Sequence, residues 1–239
     1  MICTMESYYL ECAENYKFVQ ERVTNAAIKA GKDPESVKLI AVTKTVEAGA
    51  IIAVIEAGAT AIGENRVQEI AQKQEALASF KKEVHMIGTL QTNKVKYLPG
   101  LVDMIQSVNS EKLAQQINKE FEKKNLTANI LVEVNIGEES SKSGTTFEEV
   151  ETLLHSLKNL PFLKVNGLMA IPPMGDELEV RKHFAQMYKL FVDIKHKNID
   201  NISMDVLSMG MSGDFESAIL EGATTVRVGT AIFGRRVYK

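Results

Sequence analysis

The sequence predicts an α/β protein, a single (β/α)8 TIM barrel over residues 1–239 with one extra helix at its N-terminus. Three observations carry this. Eight strand-like segments alternate with helix-like ones, and no long linker separates them. The length of 239 residues is close to the roughly 250 that such a barrel takes. No GxGxxG follows the first strand-like segment, which argues against an open dinucleotide-binding sheet.

The elements follow in order. The stretch to Ala30 is helical in composition, and Gly31 is its stop. VKLIAVTKT (37–45) is the first strand, and a helix over 47–57 ends at Gly58. ATAIGEN (59–65) is the second strand, and a polar helix of Gln, Glu, Lys and Ala comes after it. VHMIGT (84–89) is the third, and LQTNK then leads to a small helix near Pro99. MIQSVN (104–109) is the fourth, with Ser110 placed to cap the helix through Lys124. NILVEVNI (129–136) is the fifth, and a polar loop, GEESSKSGTT, precedes a helix over 147–158. LKVNGLMAI (163–171) and a long helix over 177–197 come next. MDVLSMG (204–210), a helix over 214–220 and TTVRVGTAIFG (224–234) complete the count.

Composition excludes several classes of function. With 45% hydrophobic and 25% charged residues the chain reads as an ordinary globular protein. Aromatics make up 6%, tryptophan is absent and the net charge is -3, so neither stacking platforms nor a basic footprint for nucleic acid is present. No stretch approaches the roughly 20 apolar residues of a membrane span, and the N-terminus lacks the apolar core of a secretory signal. Cys3 and Cys12 both fall in the first dozen residues, a poor basis for a disulfide or zinc framework. A cytoplasmic protein is the expectation.

In such barrels the active site lies at the C-terminal strand ends. The first end carries Lys44, the second Glu64-Asn65-Arg66, the third Gly88, Gln91 and Asn93, and the fourth Gln106 and Asn109. The fifth carries Asn135 and the sixth Met169. The seventh carries Ser208 through Gly213, and the eighth Arg227, Gly229 and Thr230. SMGMSGD and VRVGT bring small residues and hydroxyls to the two loops where barrels often hold phosphate. Ordinary helix capping, with Ser212 or Asp214 as N-cap, accounts for the same pattern, and the residues leave both readings open.

On an alternating strand Lys44 shares a face with Ile40 and Val42, the inward side. A lysine held there is partly desolvated and serves as a nucleophile toward a carbonyl. A snorkelling side chain or a phosphate counter-ion are the competing readings. The first and last strands are neighbours once a barrel closes, so one compact ligand spans the lysine and the phosphate loops. His85 reads as a packed core residue, and His155, His183 and His196 as solvated helix residues. No HExxH or paired His/carboxylate spacing points to a metal. Met169, Met174, Met209 and Met211 bunch at strand ends as a flexible apolar wall.

The motifs AVTKT, GENRVQE, HMIGTLQTNKVK, SMGMSGDFESAI and GATTVRVGTAIFGRR resemble those of the pyridoxal phosphate homeostasis proteins over nearly the whole chain. The resemblance implies the barrel of alanine racemase, standing alone. It implies pyridoxal 5'-phosphate as cofactor, with Lys44 as its Schiff-base lysine. Ser212, Gly229 and Thr230 look like phosphate contacts with Ser208 close to them, Arg227 like the partner of the pyridine nitrogen, and Asn65 like a residue beside the ring. Gly213 stands where an acidic residue is common and Val228 where isoleucine is common. Neither departure touches a motif position.

An arginine stays protonated and can only donate to the ring nitrogen. That weakens the electron sink that transamination or decarboxylation needs. Alanine racemases add a second base, a tyrosine from a C-terminal β-domain. Here Lys239 lies nine residues after Thr230 and Tyr238 is the nearby tyrosine, a poor candidate for a positioned base. The expectation is a monomeric cofactor carrier in intracellular homeostasis, without established turnover, that serves apo-enzymes and affects amino-acid and keto-acid balance. A weak amino-acid racemase and a Schiff-base aldolase are the alternatives.

Overall fold

A computed structural model of the protein describes residues 5–137 and 143–235. Its eight strands are β1 Lys38–Val42, β2 Ala61–Glu64, β3 Glu83–Met86, β4 Met104–Val108, β5 Ala128–Val134, β6 Leu163–Ala170, β7 Ile202–Ser208 and β8 Thr225–Val228. All pair in parallel and in sequence order, and β8 returns to β1 to close the barrel. Helix α1, Met5–Lys29, precedes them, and Gly31 at φ 69° turns the chain away from it. The outer helices are α2 Ala48–Glu56, α3 Val67–Leu77, α4 Glu111–Glu122, α5 Val150–Leu157, α6 Glu177–His196 and α7 Phe215–Leu220.

Strands covered on both faces read as near-continuous apolar runs. In β1, Leu39 and Ala41 join the core beneath the helices, while Ile40 lies on the other face, against Gly63. Each such fully buried Ile or Leu contributes roughly 1.5–3 kcal/mol. Helix α1 buries Cys12, Tyr16, Val19, Val23 and Ala27 at helical spacing and packs against α2 and α7. Ser110 caps α4 by accepting from the Leu113 N–H at 3.4 Å. A reciprocal capping box between Asp176 and Glu179 starts α6. Among the described residues, no helix is long and apolar enough to cross a membrane.

The structure corrects four boundaries. The first strand stops at Val42: Thr43 still donates to the Gly63 carbonyl of β2, but the chain then turns, with Thr45 at φ 59° and the Val46 N–H donating back to the Thr43 carbonyl. The third stops at Met86. The small helix expected near Pro99 is a 3-10 turn, Thr92–Tyr97, in the gap between β3 and β4. The segment 224–234 is no single strand. After Val228 the chain leaves the extended conformation, Ile232 and Phe233 donate back to the Gly229 carbonyl, and a short helix α8, Thr230–Phe233, forms. Cys12 is a buried free thiol, whereas Cys3, the middle of the 137–146 loop and Tyr238 lie outside the described residues.

Candidate functional site

A cavity of about 480 Å³ opens at the C-terminal strand ends. Val42 and Lys44 reach it from the end of β1, Asn65 from β2 and Ile87 from β3. Ser212 and Gly213 border it from the loop after β7, and Arg227, Gly229 and Thr230 from β8 and its exit. Lys44 lies two residues beyond the strand, so it keeps the side-chain parity of Val42 although its backbone is already in a turn. The structure therefore brings together Lys44, Asn65, Ser212, Arg227, Gly229 and Thr230 at one mouth.

Each loop has a local reason for its path. Ser212 Oγ accepts from the Gly229 N–H at 3.3 Å and the Ala231 N–H at 3.2 Å, which ties the β7 loop to the β8 exit. Gly210 turns at φ 93°, and a Cβ there would sit 2.6 Å from Ala218 Cβ, so only glycine fits. The Asp214 carboxylate accepts from the Met211 N–H at 2.5 Å and braces the loop between them. A Cβ at Gly213 would meet nothing within 4 Å. Gly88 allows its strand exit to lie on Asn65, since a Cβ would come 2.5 Å from the Asn65 carbonyl oxygen.

Arg227 is buried at 4% exposure. Its Nη1 donates to Ser208 Oγ at 2.6 Å and its Nη2 to the Ala170 carbonyl at 2.9 Å. Burial pushes its pKa down to about 10, against the pull of the Asp214 and Glu133 carboxylates. The guanidinium is thus still a cation at neutral pH.

Behind Arg227 runs a row of buried polar side chains. Ser208 donates to Gln106 Oε1 at 2.7 Å, and Gln106 Nε2 meets His85 Nδ1 at 2.9 Å. His85 Nε2 lies 2.9 Å from Glu83, whose carboxylate accepts from Lys38 at 2.6 and 2.7 Å. Strands β4 and β7 are three apart in the barrel order, so the Gln106–Ser208 bond crosses the interior. One donor assignment satisfies the whole row, with the His85 hydrogen on Nε2 and Nδ1 accepting from the Gln106 amide.

These contacts revise several sequence readings. Ser208 is fully buried and is not among the residues bordering the cavity; it sits beneath Arg227. His85 is buried as expected, but in a polar row instead of apolar packing. Met209 and Met169 are core residues and Met174 is fully exposed, leaving Met211 as the methionine of the wall. His183 is half-buried, with Nδ1 out of contact with water. Ile87 and Ile171, one residue past β3 and β6, were missed, although strand-end position alone would have nominated them. Arg235, beyond α8, also borders the cavity and carries no local signal. Glu133, inside β5, was missed because it sits within an apolar run. Its carboxyl is raised by burial, and one of its oxygens has no partner among the described residues.

Lysine, arginine and two loops of small residues around one mouth define a (β/α)8 barrel built for a compact anionic ligand bearing a group that an amine can hold. Residues 14–237 match the family described as alanine racemase, N-terminal domain. The pyridoxal phosphate homeostasis protein of Aquifex aeolicus is 42% identical over 230 residues, covering 96% of this chain and 100% of that one. A solved structure of an unknown protein from Bifidobacterium adolescentis superposes with a TM-score of 0.91 at 36% identity, covering 96% and 97% of the two chains. PipY of Synechococcus elongatus, solved with pyridoxal phosphate bound, gives 0.78 at 32% identity over 90% of this chain and 100% of that one. The chain belongs to the alanine racemase N-terminal domain family and, within it, to the pyridoxal phosphate homeostasis proteins.

Proposed function

We propose that this protein binds pyridoxal 5'-phosphate at the mouth cavity and holds it reversibly, as a carrier in cofactor homeostasis. The observation that carries the reading is that Lys44, Arg227 and the small-residue loops at Ser212 and Gly229–Thr230 share one cavity. The donor set fits the group. Ser212, Gly229 and Thr230 would hold the phosphate, Arg227 would donate toward the ring nitrogen, Asn65 would flank the ring, and Lys44 would supply the amine. The cofactor brings an aldehyde, which condenses reversibly with an amine and expels water. The relatives named for pyridoxal phosphate homeostasis and the ligand of PipY support the same assignment.

Two features favour holding over turnover. Arg227 stays cationic and, able only to donate, would leave the ring nitrogen of a bound cofactor unprotonated, which would weaken the electron sink. Among the described residues bordering the cavity there is no histidine, carboxylate, tyrosine or cysteine to serve as a second base opposite Lys44. In this reading the barrel acts as one unit, a cytoplasmic monomer that releases its cofactor to apo-enzymes.

The test is the visible spectrum of the purified protein. Wild-type protein is expected to be yellow, with a band that borohydride bleaches while fixing the cofactor mass on Lys44. Lys44→Ala is expected to lack the band and the fixed mass. Retention of both by that variant would refute the assignment.

A further inference from the structure

Both peptide groups flanking Lys44 are gripped by one ion cluster. On the near side the Thr43 carbonyl accepts from Lys73 Nζ at 2.8 Å. On the far side the Thr45 N–H donates to Glu69 Oε2 at 2.6 Å. Lys73 pairs with Glu69 at 3.1 Å and with Glu64 at 2.8 Å. Glu64 in turn accepts from the Thr43 hydroxyl at 2.6 Å. Thr43 and Glu64 are fully buried, and Lys73 and Glu69 are close to it. Such pairs are screened little by salt.

The grip holds a strained backbone. Thr45 sits at φ 59°, in the left-handed region. Among the described residues the other non-glycine positions there, 125, 198 and 201, are all asparagine, which tolerates it. A β-branched residue does not, and persists there only where its surroundings over-determine it.

We infer that Glu69 and Lys73, anchored on Glu64, are positioning residues that hold the 43–45 turn in its strained form and so direct Lys44 into the cavity. The inference rests on the reading of Lys44 given above. Relaxation of Thr45 toward an extended conformation rotates the chain next to Lys44 and takes its amine off target. The clamp residues lie in GENRVQEIAQK, the stretch that also supplies Asn65, so one segment lines the cavity and fixes its lysine.

The test measures three quantities in a set of variants. These are capture of pyridoxal 5'-phosphate by absorbance, binding of 4'-deoxypyridoxine 5'-phosphate, which lacks the aldehyde, and thermal unfolding of the ligand-free protein. Glu69→Ala and Lys73→Met are each expected to weaken capture by roughly tenfold or more, with binding of the aldehyde-free analogue unchanged. Thr45→Gly is expected to raise the unfolding midpoint, since glycine takes this conformation without steric cost, and to keep capture intact. In the Thr45→Gly background, Glu69→Ala is expected to lose much less, because nothing then drives the turn to relax. Equal losses for aldehyde and analogue overturn the inference, as does the same Glu69→Ala loss in both backgrounds. Failure of the site reading itself shows separately, as wild-type capture that survives Lys44→Ala.

Discussion

At the scale of single residues the cavity is bordered by side chains that sequence position identifies and braced by supports that it does not. Lys44 was legible as a polar residue just past an apolar run, and Arg227 and Thr230 as polar residues of the last strand and its exit, where a barrel exposes its site. The family resemblance sets Ser208 close to the expected phosphate contacts, yet its side chain points inward to Gln106. The partners in that bond are 102 positions apart, and no local pattern reports a contact that the barrel closure creates. Gln106 offers the sharpest test of the row. Its amide serves His85 and Ser208 at once, both fully or almost fully buried. Gln106→Leu leaves both without that partner in the buried interior. A cost of about 1–3 kcal/mol for each stranded group is expected, read as a lower urea midpoint with an unchanged slope. Loss of the Ser208 brace should also loosen Arg227 and weaken cofactor binding in the same variant.

At the scale of elements, the alternation of strands and helices was legible because parallel strands buried on both faces give apolar runs that polar helices punctuate. Strand ends were not. Residues that suit a strand continue past Val42 as Thr43-Lys44-Thr45, past Met86 as Ile87 and past Val228 toward Ile232, but the ladder stops where partner strands and turns dictate. The run TTVRVGTAIFG looked like one strand because β-branched residues fill both β8 and the turn of helix after it. In β6 the sequence hid a different feature. Gly167, at φ 153°, falls where the pairing with β5 and β7 shifts register. A Cβ there would lie 1.9 Å from the Val206 carbonyl oxygen, so β7 can approach only a glycine. Gly167→Ala is expected to destabilise the barrel by about 3 kcal/mol or more, measured by urea or thermal unfolding. An alanine accommodated at no cost would mean that β6 and β7 are not held this close.

At the scale of the whole molecule, the polar row connects the two ends of the barrel. It starts at Lys38 and Glu83, the first residues of β1 and β3, and ends at Arg227 beneath the mouth. Its outer end sets an acid limit on stability. The hydrogen bond from His85, joined by the Lys38 ammonium and opposed by partial burial, holds the Glu83 carboxyl down at about 2, against an ordinary 4.5. Between those values the unfolded chain takes up a proton that the folded protein refuses. Glu83 therefore stabilises the fold fully above about pH 4.5, and that contribution is lost as the pH falls toward about 2. The Glu83 side chain is 44% exposed, so solvent screens the effect and salt should reduce it. Glu83→Gln removes the titrating group while keeping its shape. The variant is expected to be less stable than wild type at neutral pH, with the gap closing through this window in a series of urea melts. A gap that stays constant down to about pH 2 would show that the Glu83 charge takes no part in holding the foot of the row.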